Sequence, residues 1–371
     1  MGGINSNYNQ EQRVLRRIMK PRDPRPCPHL WFDNNSCLNC GKKLLKHQVR
    51  VMPYFKFNKN VTHNRTNLIN VETKTNIQNP KKICLVLDLD HTLLNSTSIG
   101  SLSLEEDYLK KITVSPENAY KRGFYRLDHM GIMTKLRPFV RTFLEEANKM
   151  FEMCIYTMGD RAYALEMAKL LDPENKYFNS RIISRDDCKI KYEKCLSVIQ
   201  KPENEVLILD DTSKVWPNNK DNLILMDRYM YFSSGCHKLG YNCKSLAELK
   251  RDEIELDGAL SSILQVLKRI HRDYNNNNSN NVRCLLKESR KEVLKGCKIV
   301  FSGVIKKNNE VDNNHKWWKM AEELGATCTT EVESSLSHVV AIDGGVKKSL
   351  WGVKECKFVV NPKWIEAAYY L

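Results

Sequence analysis

The chain has 371 residues, and 59 Lys and Arg against 44 Asp and Glu leave a formal net charge of +15. That length suggests two or three domains with at least one sizeable core, and 42% hydrophobic with 28% charged residues excludes a chain disordered throughout. No run approaches the ~18 apolar residues of a membrane-spanning helix, and the opening MGGINSNYNQEQ lacks the apolar core of a secretory signal.

Residues 1–80 form a basic arm that holds about two-thirds of the excess charge, densest between Arg13 and Pro26. Such an arm suits a nuclear-import signal or a contact with phosphate-rich partners, and equally a solvated terminus without fixed structure. Within it, Cys27 and His29 followed by Cys37 and Cys40 offer three thiols and an imidazole. That is the donor set of a closed structural zinc site; four soft residues brought close by chance is the competing reading. MGGINS also fits the short myristoylation pattern, which chance produces often, and it is set aside. The remaining cysteines are scattered, several inside apolar runs, as expected of a reducing compartment and not of a disulfide framework.

From 81 onward, short apolar β-branched runs alternate with helical patterns. ICLVLDLD (83–90), FEMCIYTM (151–158) and EVLILDD (205–211) read as buried parallel strands. RPFVRTFLEEANKM (137–150) and DRAYALEMAKLLD (160–172) space their apolar residues as helices do. The order predicts a doubly wound, mostly parallel α/β domain over 81–240, with its chemistry at the carboxyl ends of the strands. Residues 241–274 read as a helical extension and 275–289, opening on NNNNSNN, as a linker. A further domain then fits 290–371. Cys284 to Arg290 matches the C-x5-R loop of cysteine phosphatases, but its bulky LLKES cannot wrap a phosphate, so the match is set aside.

Asp88 and Asp90 end the first strand, and residues two apart on a strand point to the same side. Asp210 and Asp211 end the third in the same way. Four converging carboxylates repel unless a cation lies among them. Mg²⁺ suits the task, taking a few carboxylate oxygens while keeping water and substrate phosphate as its other ligands. One Asp can then attack phosphorus and another serve as general acid and base. Aspartates that merely cap strand ends would be the bland alternative, weakened by the repetition of the pair.

LVLDLDHTLL resembles the DxDxT signature of the haloacid-dehalogenase-like phosphatases. TKLRPFVRTFL (134–144), IYTMGDRAYA (155–164), RIISRDD (181–187), KYEKCLSVI (191–199) and LILDDTSKVWP (207–217) narrow the resemblance. They follow the order of the phosphatases that act on the C-terminal repeat domain of RNA polymerase II. The resemblance implies that Asp88 is the nucleophile and Asp90 the general acid and base. It implies that Thr157 binds phosphoryl oxygens and that Lys194 holds nucleophile and phosphate, with Lys191 as the competing lysine. Asp88, Asp90 through its backbone, and Asp211 would hold Mg²⁺, with Asp210 in a supporting or alternative role. Arg185, Tyr156 and Thr92 would contact substrate or shape its pocket. The insert between the first motif and TKLRP would form a small cap that leaves the site open to a protein segment.

LKGCKIVFSGVI (294–305), WWKMAEELGA (317–326), SHVVAID (337–343) and the late Trp364 resemble a BRCT domain, a module that binds protein partners. Ser302, Gly303 and Lys348 are where a phosphate pocket would be expected. The whole implies a nuclear, Mg²⁺-dependent protein serine phosphatase acting on the phosphorylated polymerase repeats, with BRCT contacts to transcription proteins and no membrane. Two rivals stand beside it: a nucleic-acid 3′-phosphatase of the same fold using the basic arm, and a BRCT adaptor with weak catalysis.

Overall fold

The computed structural model describes residues 32–33, 36–37, 82–112, 116–188, 190, 192–276, 281–307 and 310–370. Strands β1 (Phe32–Asp33) and β2 (Ser36–Cys37) form a minimal antiparallel pair. Cys27, His29 and Cys40 lie outside the described residues, as does the Cys37 side chain. The remaining described chain divides into two compact units, with the boundary at Ser289–Arg290.

In the first unit, β3 (Ile83–Leu87) is fully buried along its length. An insert follows: β4 (Leu94–Ser98), helix α1 (Pro116–Arg122), β5 (Phe124–Leu127) and β6 (Ile132–Leu136). Its strands make an antiparallel sheet in the order β4-β6-β5. The chain then alternates through α2 (Val140–Asn148), β7 (Phe151–Tyr156), α3 (Arg161–Leu171), β8 (Ile182–Ile183), β9 (Val206–Asp210) and β10 (Leu223–Leu225). The main sheet is parallel, in the order β10-β9-β3-β7-β8. Its apolar strands are covered on both faces, which is why they read as continuous runs and do not alternate. From β3 the chain builds to one side through β7 and β8, then returns to add β9 and β10 on the other. The carboxyl end of β3 is therefore the switch point at which such sheets bind ligands.

Two buried polar clusters tie the insert and the first loop to later segments. Glu106 is fully buried and accepts from Ser233 N, Ser233 Oγ and Ser245 Oγ at 2.7–2.9 Å. Arg137, 1% exposed, donates to the carbonyls of Thr92 (3.1 Å) and Asp227 (3.0 Å) and forks onto Glu253 at 2.7 and 2.9 Å.

That fork corrects the expected helix over 241–274. Short helix α4 (Ser233–Lys238) is followed by turns, and α5 begins only at Ala259, running to Asn276. Residues 251–258 form no helix because Glu253 is drawn to Arg137 and Asp252 to Tyr229 and Lys135. These tertiary ion pairs outweigh a weak local propensity. The linker expected at 275–289 is corrected too. Helix α6 (Val282–Lys291) forms there because Val282, Leu285 and Leu286 share one buried face.

The second unit is a parallel four-stranded sheet, order β14-β11-β15-β16. Its elements in chain order are β11 (Lys298–Ser302), the small pair β12 (Lys306–Lys307) and β13 (Glu310–Val311), α7 (Lys316–Glu323), β14 (Thr327–Thr329), β15 (His338–Ala341), α8 (Lys347–Lys354), β16 (Phe358–Val360) and α9 (Lys363–Tyr369). Phe301 stacks on Trp318, and His338 stacks with both Phe358 and Trp364. Gly325 turns the chain out of α7 at φ +93°, and a Cβ there would lie 1.8 Å from the Lys291 carbonyl oxygen. Only glycine fits that turn.

Candidate active site

Asp88 directly follows β3, and Asp210 ends β9 in the neighbouring row, where Leu87 pairs with Leu209. The register alone brings the two carboxylates side by side. Asp88, Asp210 and Asp211 each place an oxygen within 4.8 Å of the others. Lys194 reaches between them from the segment after β8, its Nζ 2.5 Å from Asp88 Oδ1 and 2.7 Å from Asp210 Oδ2. Its backbone N–H is anchored on the Val215 carbonyl at 2.7 Å.

The loop beyond β3 turns tightly. Thr92, Leu93 and Leu94 all direct their N–H groups at the Leu89 carbonyl, and His91 takes a left-handed φ of +66°. Asp90 leaves this loop to meet the Tyr163 hydroxyl, which lies 2.6 Å from Asp90 Oδ1 and 2.8 Å from Ser96 Oγ. Tyr163 sits in the first turn of α3, where Asp160 Oδ1 caps its N–H at 2.9 Å. Gly159 makes room for its ring, since a Cβ there would meet Tyr163 Cδ1 at 2.6 Å. Thr157 follows β7; it is 1% exposed, and its hydroxyl oxygen accepts from Gly159 N at 3.0 Å.

Burial pushes the Asp88 carboxyl well above its usual range; the Asp210 charge adds to this and Lys194 opposes it. Burial likewise raises Asp90, against the hydrogen bond from Tyr163. Lys194 loses solvation, yet Asp210 and Asp88 hold it above its ordinary value, so it stays charged. Its ammonium also faces the rings of Tyr156 and Trp216 at 5.6 and 5.7 Å.

The residues expected from the sequence divide into three groups. Asp88, Asp210, Asp211 and Lys194 come together in one buried cluster, with Asp90 and Thr157 at the carboxyl ends of the same sheet. Arg185 is exposed and begins a single turn whose N–H bonds the Gly159 carbonyl at 2.9 Å. Tyr156 and Thr92, expected to contact substrate or shape its pocket, are both fully buried. Tyr156 packs edge-on against Trp216 and receives the Cys195 N–H, supporting the lysine from beneath. Thr92 offers its carbonyl to Arg137. Asp210 uses both of its oxygens, Oδ1 taking Thr212 N at 2.8 Å and Oδ2 taking Lys194 and Trp216 Nε1.

Sequence reasoning gives no role to Tyr163, Arg228 or Arg137. Each acts through a contact far along the chain, for which spacing gives no sign. Trp216 lies inside the LILDDTSKVWP segment, and only its bond to Asp210 reveals its part. In the second unit Ser302 is buried at the end of β11, Gly303 follows at φ +74°, and Lys348 on α8 donates to the Thr330 carbonyl at 2.5 Å. The donor set of the main cluster is all carboxylate oxygen, buried and short of positive charge, and it fits a hard divalent cation.

Comparisons with known proteins agree with this geometry. A family model described as NLI interacting factor-like phosphatase matches residues 83–255, and the BRCA1 C-terminus (BRCT) domain model matches residues 289–368. The RNA polymerase II C-terminal domain phosphatase-like 4 of Arabidopsis thaliana is 48% identical over 353 residues, covering 93% of this chain and 80% of that protein. The RNA polymerase II C-terminal domain phosphatase of Caenorhabditis elegans is 29% identical, covering 92% of this chain and 54% of the relative. The solved structure of the fission yeast RNA polymerase II CTD phosphatase Fcp1 with beryllium fluoride shares the fold at a TM-score of 0.57. Its identity is 24%, over 78% of this chain and 93% of that one.

Proposed function

The chain belongs to the RNA polymerase II C-terminal domain phosphatases, and from that membership we propose that it hydrolyses phosphoserine in the polymerase's C-terminal repeats through an aspartyl-phosphate. One observation carries the reading: a buried lysine bridges Asp88 and Asp210 at the switch point of a parallel sheet, beside Asp211.

In this reading an Asp88 carboxylate oxygen attacks phosphorus, and the bond from phosphorus to the seryl oxygen breaks. Asp90, whose burial favours the protonated acid, gives its proton to that leaving oxygen. The Asp90 carboxylate then takes a proton from water. The water oxygen attacks phosphorus, releasing inorganic phosphate and restoring Asp88. Tyr163 holds Asp90 in line for both transfers. Thr157 accepts from Gly159, so its own proton is free for a phosphoryl oxygen, and Arg185 reaches the phosphate from the rim. Asp88, Asp211 and the backbone of Asp90 would hold Mg²⁺, which neutralises charge between the nucleophile and the phosphoryl oxygens when bound. Asp210 supports by fixing Lys194.

The catalytic domain in this proposal runs from about 81 past the expected limit of 240, because Ser245 and Glu253 satisfy Glu106 and Arg137. We further propose that Cys27, His29, Cys37 and Cys40 hold one structural zinc, and that Ser302, Gly303 and Lys348 take a phosphate on a partner protein. A nuclear location follows from the substrate.

The test is phosphate release from phosphoserine repeat peptides, with and without Mg²⁺, beside Asp88→Asn. Release should need Mg²⁺ and vanish in the variant. Equal release by the variant sinks the aspartyl-phosphate, and release from 3′-phosphorylated nucleic acid alone moves the substrate to nucleic acid ends. Elemental analysis should find one zinc per chain, lost on Cys37→Ser.

A further inference from the structure

The carboxylates of the active site differ in how many oxygens they have left to give. Neither oxygen of Asp210 is without a protein donor, since Lys194 and Trp216 Nε1 bond one and Thr212 N the other. Asp88 has its Oδ1 on Lys194, and Oδ2 takes no protein donor among the described residues. Asp211 has two donors crowded on one oxygen: Arg228 Nε lies 2.6 Å and Thr212 Oγ1 2.9 Å from Oδ2. The other oxygen takes no protein donor among the described residues.

Arg228 is held for this contact. Met226 N bonds the Asp210 carbonyl at 2.9 Å and Tyr229 N bonds the His91 carbonyl at 2.8 Å, so residues 226–229 span from the end of β9 to the catalytic loop. The guanidinium also donates to Thr212 Oγ1 at 3.0 Å and to the Tyr241 hydroxyl at 3.2 Å. A fork tied at three points cannot swing away without breaking all of them.

We propose that Arg228 is a specificity-determining residue for the cation, restricting Asp211 to one-oxygen coordination and thereby favouring Mg²⁺ over Ca²⁺. The inference rests on the reading of this cluster as a divalent-cation site. Ca²⁺ takes six to eight oxygens at relaxed geometry and readily uses both oxygens of a carboxylate. Mg²⁺ holds a strict octahedron, keeps several waters and needs only one oxygen from each. With Asp210 filled and both Asp88 and Asp211 half filled, the protein offers single oxygens only, which Mg²⁺ can complete with water. Arg228 also has two effects that do not discriminate. Its positive charge repels any cation, and its hydrogen bond orients Asp211 for any cation. Both act alike on two ions of the same charge, so the ratio of affinities isolates the geometric effect.

Calorimetric titration of the full chain with Mg²⁺ and with Ca²⁺, without substrate, tests this in the wild type, Arg228→Met and Arg228→Lys. In Arg228→Met the preference for Mg²⁺ over Ca²⁺ should fall about tenfold, the usual scale for a residue that positions a metal ligand. Arg228→Lys retains a donor for Oδ2 and should keep most of the preference, which also covers a Met variant that fails to fold. In peptide dephosphorylation with Mg²⁺ present, Ca²⁺ should inhibit the Met variant at about a tenfold lower concentration. Both affinities shifting together with an unchanged ratio would overturn the proposal. Absence of divalent binding by the wild type would instead overturn the reading on which it rests.

Discussion

The molecule contains two parallel sheets whose carboxyl edges differ sharply in chemistry. The five-stranded sheet buries Asp88, Asp210 and Lys194 there, each 6% exposed or less. The four-stranded sheet ends its first strand on a buried serine, and its interior is filled with stacked rings and aliphatic side chains around Phe301, Trp318 and Ile365. Both sheets pair their strands in the same parallel way, so the layout of strands does not account for the difference. Burying three charges costs several kcal/mol each unless they are matched, and a fold bears that cost where the charges act on something. In the second unit the interior serves packing.

Breaking the charge match should have the largest effect. Lys194→Ala leaves Asp88 and Asp210 without their shared cation; we expect phosphate release from repeat peptides to fall at least ~10³-fold and stability to drop by about 3–5 kcal/mol. Dephosphorylation kinetics and urea unfolding would measure both.

The same comparison predicts a packing failure in the other unit. Gly325→Ala sets a Cβ against the Lys291 carbonyl at a left-handed φ, and about 3 kcal/mol of stability should be lost there. Four of the six tryptophans lie beyond residue 290, so tryptophan fluorescence during denaturation follows this unit. Peptide dephosphorylation should be unchanged.

A pH effect sharpens the contrast from the aromatic side. Burial lowers His338 from its ordinary 6.5 to about 4. The unfolded chain therefore binds a proton near pH 6.5 that the folded unit refuses until about pH 4. This contribution is constant above pH 6.5, and stability should fall by up to about 3 kcal/mol as pH drops to 4. His338→Phe should flatten that decline in fluorescence-monitored unfolding; a decline of the same size in the variant would assign it to other groups.

The smallest expected effect is at Tyr163. Tyr163→Phe keeps the ring against Gly159 but removes the hydroxyl from Asp90, and kcat should fall about tenfold with little change in KM. A change confined to KM would place Tyr163 in substrate binding and not in proton transfer.

The strands that carry Asp88, Thr157 and Asp210 are legible in the sequence because buried parallel strands are uninterrupted apolar runs. The paired aspartates announce the site for the same reason, as charges that end such runs. Tyr156 packs with Val86, Ile208 and Trp216 under Lys194, a place that the motif around it does not reveal. Arg228 and Arg137 are invisible in the sequence, since their partners are set by the way β10 and the 251–258 segment return to the loop after β3. The helical reading of 246–258 fails on the same contacts, which local pattern does not encode.

The Arg137–Glu253 fork and the buried Glu106 have a consequence for biosynthesis. Arg137 and Glu106 are made early, while their partners Glu253, Ser233 and Ser245 come later in the chain. At about 5–20 residues per second, roughly eight to thirty-three seconds separate translation of Asp88 from that of Glu253. During that interval the nascent chain carries Asp88 and Asp90 on a frame that still lacks Glu253.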